Sequence, residues 1–362
     1  MNNEQPAILG EGYSSGEHDA FLKTLPDGYT ACDIVKNQLT ELYKVRHPEL
    51  IYQSDFNEQR TRFVNRELAR MDPLLRGDWV YFPWSRTLLH TLSQEETIEL
   101  RTNRNRNLIT NEESTLLSQK TLGIVGLSVG GHFATGFAYG AIGGHLKLAD
   151  FDTIETTNLN RLRARLVDVG SPKITIVARN IYDIDPHASL FLFSDGLSEG
   201  NLGRFLGTPK PDLIFEAIDD FHMKIRLRIE ARKLRIPVVM LTSLGDNILV
   251  DIERFDLNTS LPLFHGLVGN VPEEILAGEI TPEKEKEFAV KLVGREHIPK
   301  RAIASVMEIG KTLVGRPQLA STVFINGGLS AYLARKILLG DRTLSGRFVI
   351  SLDHFFGLTE TL

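Results

Sequence analysis

The sequence predicts an α/β fold: a doubly wound, mostly parallel sheet with an N-terminal extension and a helical C-terminal part. Two observations predict it. From residue 121 onward, short apolar runs of strand character alternate with helical stretches, and the first run ends in a glycine-rich turn. Near-continuous apolar runs mark strands buried on both faces, and helices between them supply the crossovers that parallel neighbours require.

In chain order, residues 1–30 read as loosely structured, and 31–72 carry helical periodicity broken at Pro48 and ended by Asp72-Pro73. GDWVYFPWSRTLLHTL (77–92) alternates apolar and polar positions and reads as a strand or hairpin. Its tryptophans, Trp79 and Trp84, are expected to pack an N-terminal cap onto the main domain rather than stack on a ligand. A polar helical lead-in covers 96–118. The sheet strands are then LGIVG (122–126), HLKLAD (145–150), SLFLF (189–193), DLIFEAID (212–219) and PVVMLTS (237–243), with helices over 131–142, 171–182 and 222–235. Beyond Phe255 the pattern turns helical and polar. EKEKEF (283–288) reads as a solvated helix face, and 302–315 and 319–339 as amphipathic helices. Three regions follow: an extension (1–95), a nucleotide-binding domain (96–255) and a C-terminal region (256–362) that completes the fold.

The 362 residues suffice for a sizeable core, and 42% hydrophobic with 24% charged residues is ordinary for a globular protein. A net charge of −5 gives no basic field, so charge does not point to nucleic acid. No apolar run reaches membrane-spanning length and the first thirty residues are too polar for a signal peptide, so the expected location is cytoplasmic, with no membrane partner. The one cysteine, Cys32, excludes an intrachain disulfide and a cysteine-rich zinc site. It is expected in an N-terminal helix, as a buried or incidental thiol.

The turn IVGLSVGGHFATG (124–136) follows a strand and opens a helix, the setting in which such a turn cradles a phosphate. Gly126 permits the tight turn, and Gly130 and Gly131 let backbone approach an anion; Ser128 stands where a second glycine belongs. Asp150 ends the next strand, where a carboxylate accepts ribose hydroxyls. NAD and ATP fit this much equally well, and a purely structural turn fits it too. DFDTIETTNLNR (150–161), GSPK (170–173) and EAIDD (216–220) favour a triphosphate with magnesium. Arg161 and Lys173 suit phosphate oxygens, and Asp219, at the C-terminal end of a buried strand, suits Mg²⁺. Asp152 is a second candidate carboxylate for the nucleotide, with a surface pair to Arg163 as the alternative.

At these residues, over roughly 98–255, the chain resembles the ThiF/MoeB/HesA superfamily of adenylating enzymes, which includes the ubiquitin-activating enzymes. The resemblance implies a Rossmann-like sheet and ATP as the nucleotide. It implies that Asp150 binds the ribose, that Asn158, Arg161 and Lys173 contact phosphates, and that Asp219 coordinates Mg²⁺. RTNR (101–104) resembles the family segment whose second arginine, here Arg104, reaches the γ-phosphate from the neighbouring subunit; this implies a homodimer with composite sites. Asp220 replaces a common family asparagine. With no cysteine after Cys32 and no CxxC pair, thioester relay and a zinc knuckle are not expected. The remaining branch adenylates a carboxylate and lets another nucleophile displace AMP. The substrate is then a peptide, as in the microcin- and pantocin-type members, or a small molecule. Alternatives are a tRNA-modifying cyclodehydratase-like enzyme, a ubiquitin-like or sulfur-carrier activator, and an NAD-binding redox protein. A basic patch (Arg226, Arg228, Arg232, Lys233, Arg235) keeps tRNA open, though it also reads as a solvated helix face. The extension could clamp a peptide with an edge strand or serve as dimer scaffolding. His222, His265 and Arg301 could face the acyl site or be structural.

Overall fold

A computed structural model describes residues 5–278 and 281–358. The chain divides into two compact units. One runs up to residue 114 and takes in 178–187; the other consists of 115–177 and the chain from 188 onward.

The first unit contains β1 (Ala7–Leu9), α1 (Ser15–Thr24), β2 (Thr30–Asp33), α2 (Val35–Arg46), α3 (Phe56–Ala69), β3 (Asp78–Phe82), β4 (Thr87–Thr91) and α4 (Gln94–Thr102). Its strands order as β1-β3-β4-β2, with β3 antiparallel to both neighbours and β2 parallel to β4. The expected hairpin is therefore β3–β4, closed over Pro83–Arg86. Trp79 stacks on the buried His90 ring at 4.2 Å and belongs to this unit's own core with Tyr81 and Leu88.

Two expectations fail here. Within 5–30 the chain forms β1 and α1, and α1 starts at a capping box: Ser14 Oγ accepts from Glu17 N–H at 3.3 Å, and Glu17 accepts from Ser14 N–H at 2.8 Å. Residues 1–4 lie outside the described residues. Cys32 is exposed on β2, not in a helix. Pairing of Thr30–Asp33 with Thr87–His90 overrides the local helical periodicity.

Along the remaining chain follow α5 (Asn111–Ser118), β5 (Thr121–Val125), α6 (Gly130–Gly140), β6 (His145–Ala149), α7 (Lys173–Tyr182), β7 (Ser189–Phe193), α8 (Glu199–Leu206), β8 (Leu213–Glu216), α9 (Phe221–Lys233), β9 (Val238–Leu244) and β10 (Asn247–Glu253). The C-terminal part adds α10 (Val271–Leu276), α11 (Pro282–Val293), α12 (Lys300–Val306), α13 (Ala320–Leu338), β11 (Gly346–Ser351) and α14 (Leu352–Phe355). Among the described residues the second unit's sheet has seven strands in the order β7-β6-β5-β8-β9-β10-β11. The first five are parallel; β10 and β11 run antiparallel. This is the expected doubly wound, Rossmann-like sheet. The chain order reverses between β5 and β8, so their C-terminal ends flank the crevice where such sheets bind ligands.

The C-terminal part is less helical than its sequence suggests. β11 adds an edge strand, and the helix expected over 302–315 stops at Val306. α13 matches its expected span and packs on α6 through glycine. A Cβ on Gly136 would meet Gly327 O at 3.0 Å, and one on Gly327 would meet His132 Cβ at 3.0 Å.

Candidate active site

The loops after β5 and β8 touch at the reversal point. Gly126 has φ +84°, and a Cβ there would lie 2.4 Å from Ala217 O. Glycine is therefore needed twice over, for its left-handed backbone and for contact with the strand end that carries Asp219. Gly130 and Gly131 are also required by packing. Cβ atoms there would meet Ile124 Cγ2 and Val177 Cγ2, each at 2.9 Å, so these glycines seat α6 against β5 and α7. Ser128 lies in the turn and is not among the residues with positive φ, so serine carries no backbone penalty there. At the start of α6 the Gly131 N–H donates to Leu127 O at 3.3 Å and the His132 N–H to Val129 O at 3.0 Å, both within this turn.

Asp150 follows β6 and is 8% exposed. One carboxylate oxygen accepts from Leu127 N–H at 2.6 Å, the other from Asp152 N–H at 2.8 Å. The side chain thus anchors the glycine turn from below. Burial raises its pKa above the ordinary aspartate value, against those two N–H groups and the Lys173 charge, which lower it. Lys173 opens α7 and is itself buried, with Nζ 2.7 Å from Asp152 Oδ2. Asp152 therefore pairs with Lys173 and not with Arg163, which donates to the Tyr139 hydroxyl at 2.6 Å.

Asn158 is buried in a 3₁₀ turn, where its Oδ1 accepts from Glu155 N–H at 3.0 Å. Arg161 follows, bonded through Nη1 to Asn160 Oδ1 at 2.8 Å and Thr157 O at 3.2 Å. Its Nε is buried with no acceptor among the described residues, and burial lowers its pKa. His132, in the first turn of α6, holds the Arg161 carbonyl through Nε2 at 2.7 Å; burial depresses this imidazole, which suits a neutral ring donating Nε2–H.

Asp219 stands beyond β8 with its side chain 91% exposed, in an ion pair with Arg316 at 2.7 Å. Asp220 caps α9, accepting from Met223 N–H at 3.0 Å, so the residue that departs from the family asparagine is engaged in a helix start. Asp150, Asp152, Lys173 and the glycine turn thus cluster by direct bonds, Arg161 is tied to α6 through its carbonyl and His132, and Ala217 brings the Asp219 loop against the same turn. Arg104 lies exposed on a 3₁₀ turn (Asn103–Asn105) in the first unit.

A model of the ThiF family matches residues 102–356. The chain belongs to the ThiF family. It is 36% identical over 309 residues to uncharacterized protein MT1398 of Mycobacterium tuberculosis, covering 84% of this chain and 42% of that protein. The tRNA threonylcarbamoyladenosine dehydratase of Bacillus subtilis is 30% identical over 42% of this chain and 60% of its own length. The molybdopterin-synthase adenylyltransferase of Haemophilus influenzae is 28% identical over 62% of this chain and 90% of its own. The chain thus spans about two fifths of the first of these relatives and three fifths of the second.

Next to the candidate site, from Glu216 of β8 inward, lies a buried charge network that the sequence reading does not anticipate. Glu216, Met240, Asp251 and Arg347 are register partners in one row across β8, β9, β10 and β11. Over this row α9 places Lys224 and Arg228, one helical turn apart. Lys224 Nζ reaches both Glu216 oxygens, at 2.6 and 2.8 Å, and Arg228 joins Glu216 at 2.7 Å to Glu253 at 2.5 Å. Arg347 pairs with Asp251 at 2.6 Å, and His265 lies 3.3 Å from the other Asp251 oxygen. Three carboxylates thus face three cations. Burial pushes Glu216 upward, but Lys224 and Arg228 outweigh it and hold the carboxyl below its usual range.

The basic patch is correspondingly not a free surface. Arg228 is fully buried, Arg226 is paired with Glu199 and Lys233 with Glu230. His265 is engaged with Asp251, and His222 lies 3.9 Å from Glu199. Arg301 begins the second residue of α12 and makes further contacts of its own. Arg316 and His132 are the site residues that sequence reasoning overlooks. Arg316 meets a partner 97 positions away, so no local pattern reports it.

Proposed function

We propose that this ThiF-family protein is an ATP- and Mg²⁺-dependent adenylyltransferase that activates a carboxylate. The acyl substrate is a ribosomal peptide precursor or a small molecule, and condensation or cyclisation follows without an enzyme thioester. The carrying observation is the joined pair of loops at the β5/β8 reversal: Asp150 anchors one, and the other presents Asp219. A buried carboxylate below a glycine turn suits ribose, while Lys173 and Arg161 suit phosphates. Lys173 then exchanges Asp152 for a phosphate oxygen.

Among the described residues no three His, Cys, Asp or Glu side chains gather to hold a metal. A lone exposed carboxylate fits Mg²⁺ that takes its other ligands from phosphates and water. Bound there, Mg²⁺ would withdraw charge from the phosphate oxygens. The substrate carboxylate attacks the α-phosphorus, the bond to the bridging oxygen breaks, and pyrophosphate leaves with an acyl-adenylate remaining. Arg161 and Lys173 hold the phosphates in line and offset the charge that grows on them. Arg104, which is exposed, is proposed to reach the γ-phosphate of a partner subunit in a homodimer.

A peptide substrate is supported by β2, an edge strand exposed along its whole length, with one face of its ladder open to strand addition. Burial of Arg228 and the pairing of Arg226 with Glu199 and of Lys233 with Glu230 favour this reading over nucleic acid. The one cysteine sits on β2 rather than downstream of the nucleotide fold, which disfavours a thioester relay.

Exchange of labelled pyrophosphate into ATP, driven by pooled peptides with free C-terminal carboxylates, tests the reading. Exchange is expected to need Mg²⁺ and to fall at least about a hundredfold in Asp219→Asn, the cost of losing one preorganised electrostatic group. Exchange unaltered in that variant, or turnover giving ADP instead of AMP, contradicts it.

A further inference from the structure

The segment 316–318 spans the mouth of the proposed nucleotide site and is tied down on both sides. At one end Arg316 Nη2 lies 2.7 Å from Asp219 Oδ1. At the other, Asn160 Nδ2 donates to Gln318 O at 2.9 Å, while Asn160 Oδ1 accepts from Arg161 at 2.8 Å. Gln318 Oε1 is buried without a partner among the described residues. The strap therefore joins the turn that carries Arg161 to the loop that carries Asp219.

We infer that Arg316 and a nucleotide-bound divalent cation are alternative partners of Asp219, so that Arg316 is a binding-site residue that metal–nucleotide displaces. The inference rests on the adenylation reading only through the role of Asp219. A divalent ion on this carboxylate contests the same oxygen and places its charge beside a guanidinium in contact with it. Both side chains are exposed, 54% for Arg316 and 91% for Asp219, so their pair is weak enough to exchange. A guanidinium released there keeps its five donors and stays at the mouth, where oxyanions enter. Lys173, another of the proposed ligand-binding charges, is likewise occupied by the protein itself, through Asp152.

Mn²⁺ with α,β-methylene-ATP is the probe, followed by electron paramagnetic resonance of the bound ion and requiring no turnover. Arg316→Ala is expected to tighten binding of this complex by about two- to fivefold, the range an exposed ion pair spans. Asp219→Asn is expected to weaken it, and Arg316→Ala added to Asp219→Asn to change nothing further. Far-UV circular dichroism checks that each variant is folded. If Asp219→Asn weakens binding but Arg316→Ala leaves it unchanged or weaker, this inference falls and the adenylation reading stands. If Asp219→Asn has no effect, the metal role of Asp219 falls and takes the inference with it.

Discussion

Arg228→Ala is expected to lower the unfolding free energy by about 3–5 kcal/mol, the cost of removing one partner from a buried ion pair. The guanidinium has no solvent exposure, joins Glu216 to Glu253 and lies 4.2 Å from the centre of the Phe264 ring. Without it Glu253 keeps the Phe264 N–H, at 2.7 Å, but loses its cation, and Glu216 keeps Lys224 and the Ile218 N–H, at 2.8 Å. Burial already raises Glu253 above its ordinary range, against Arg228, so its ionised form depends on that arginine. Arg228→Lys is expected to recover only part of the loss, since a point charge cannot span two carboxylates as a planar fork does. Far-UV circular dichroism in urea is the suitable probe, because both tryptophans lie in the first unit. A loss below about 1 kcal/mol would mean that the carboxylates find other partners or take up protons at little cost.

Gly126→Ala is expected to weaken MgATP binding more than tenfold while leaving the protein folded. A left-handed alanine costs about 1–2 kcal/mol. The larger effect is steric: the new methyl meets backbone, Ala217 O at 2.4 Å, and so drives the β5 loop from the loop that carries Asp219. Gly130→Ala and Gly131→Ala are expected to weaken binding less, because the Cγ2 methyls they meet, of Ile124 and Val177, lie in the packing of α6 rather than on the loop that carries Asp219. Calorimetric titration of the three variants gives the ranking. Equal effects at all three positions would contradict the distinction between turn and packing glycines.

The parallel core was legible because its strands are near-continuous apolar runs, with Lys147 and Glu216 as the buried charges among them. LGIVG, HLKLAD and DLIFEAID announce themselves, and Gly126, Asp150 and Asp219 stand at or just beyond their C-terminal ends, where open sheets of this kind bind ligands. β10 and β11 were hidden by the buried network itself. Asp251, Glu253 and Arg347 interrupt the apolar pattern that identifies a core strand, and each is acceptable there only because a cation or carboxylate on another element answers it. Arg228 read as surface for the same reason. Ser14 and Glu17, by contrast, are a local capping signal fully present in the sequence. The Arg316–Asp219 pair depends on chain folding back over a long separation, and nothing near either residue encodes it.

The central claim is that the crevice between β5 and β8 selects a nucleoside triphosphate over a dinucleotide. Its most direct measurement is a calorimetric titration of the protein with ATP and with NAD, each in the presence of Mg²⁺. Saturable binding of ATP, lost in Asp150→Ala, with no heat from NAD at the same concentrations is the predicted result. Binding of NAD as tight as that of ATP, or ATP binding indifferent to Asp150, would contradict it.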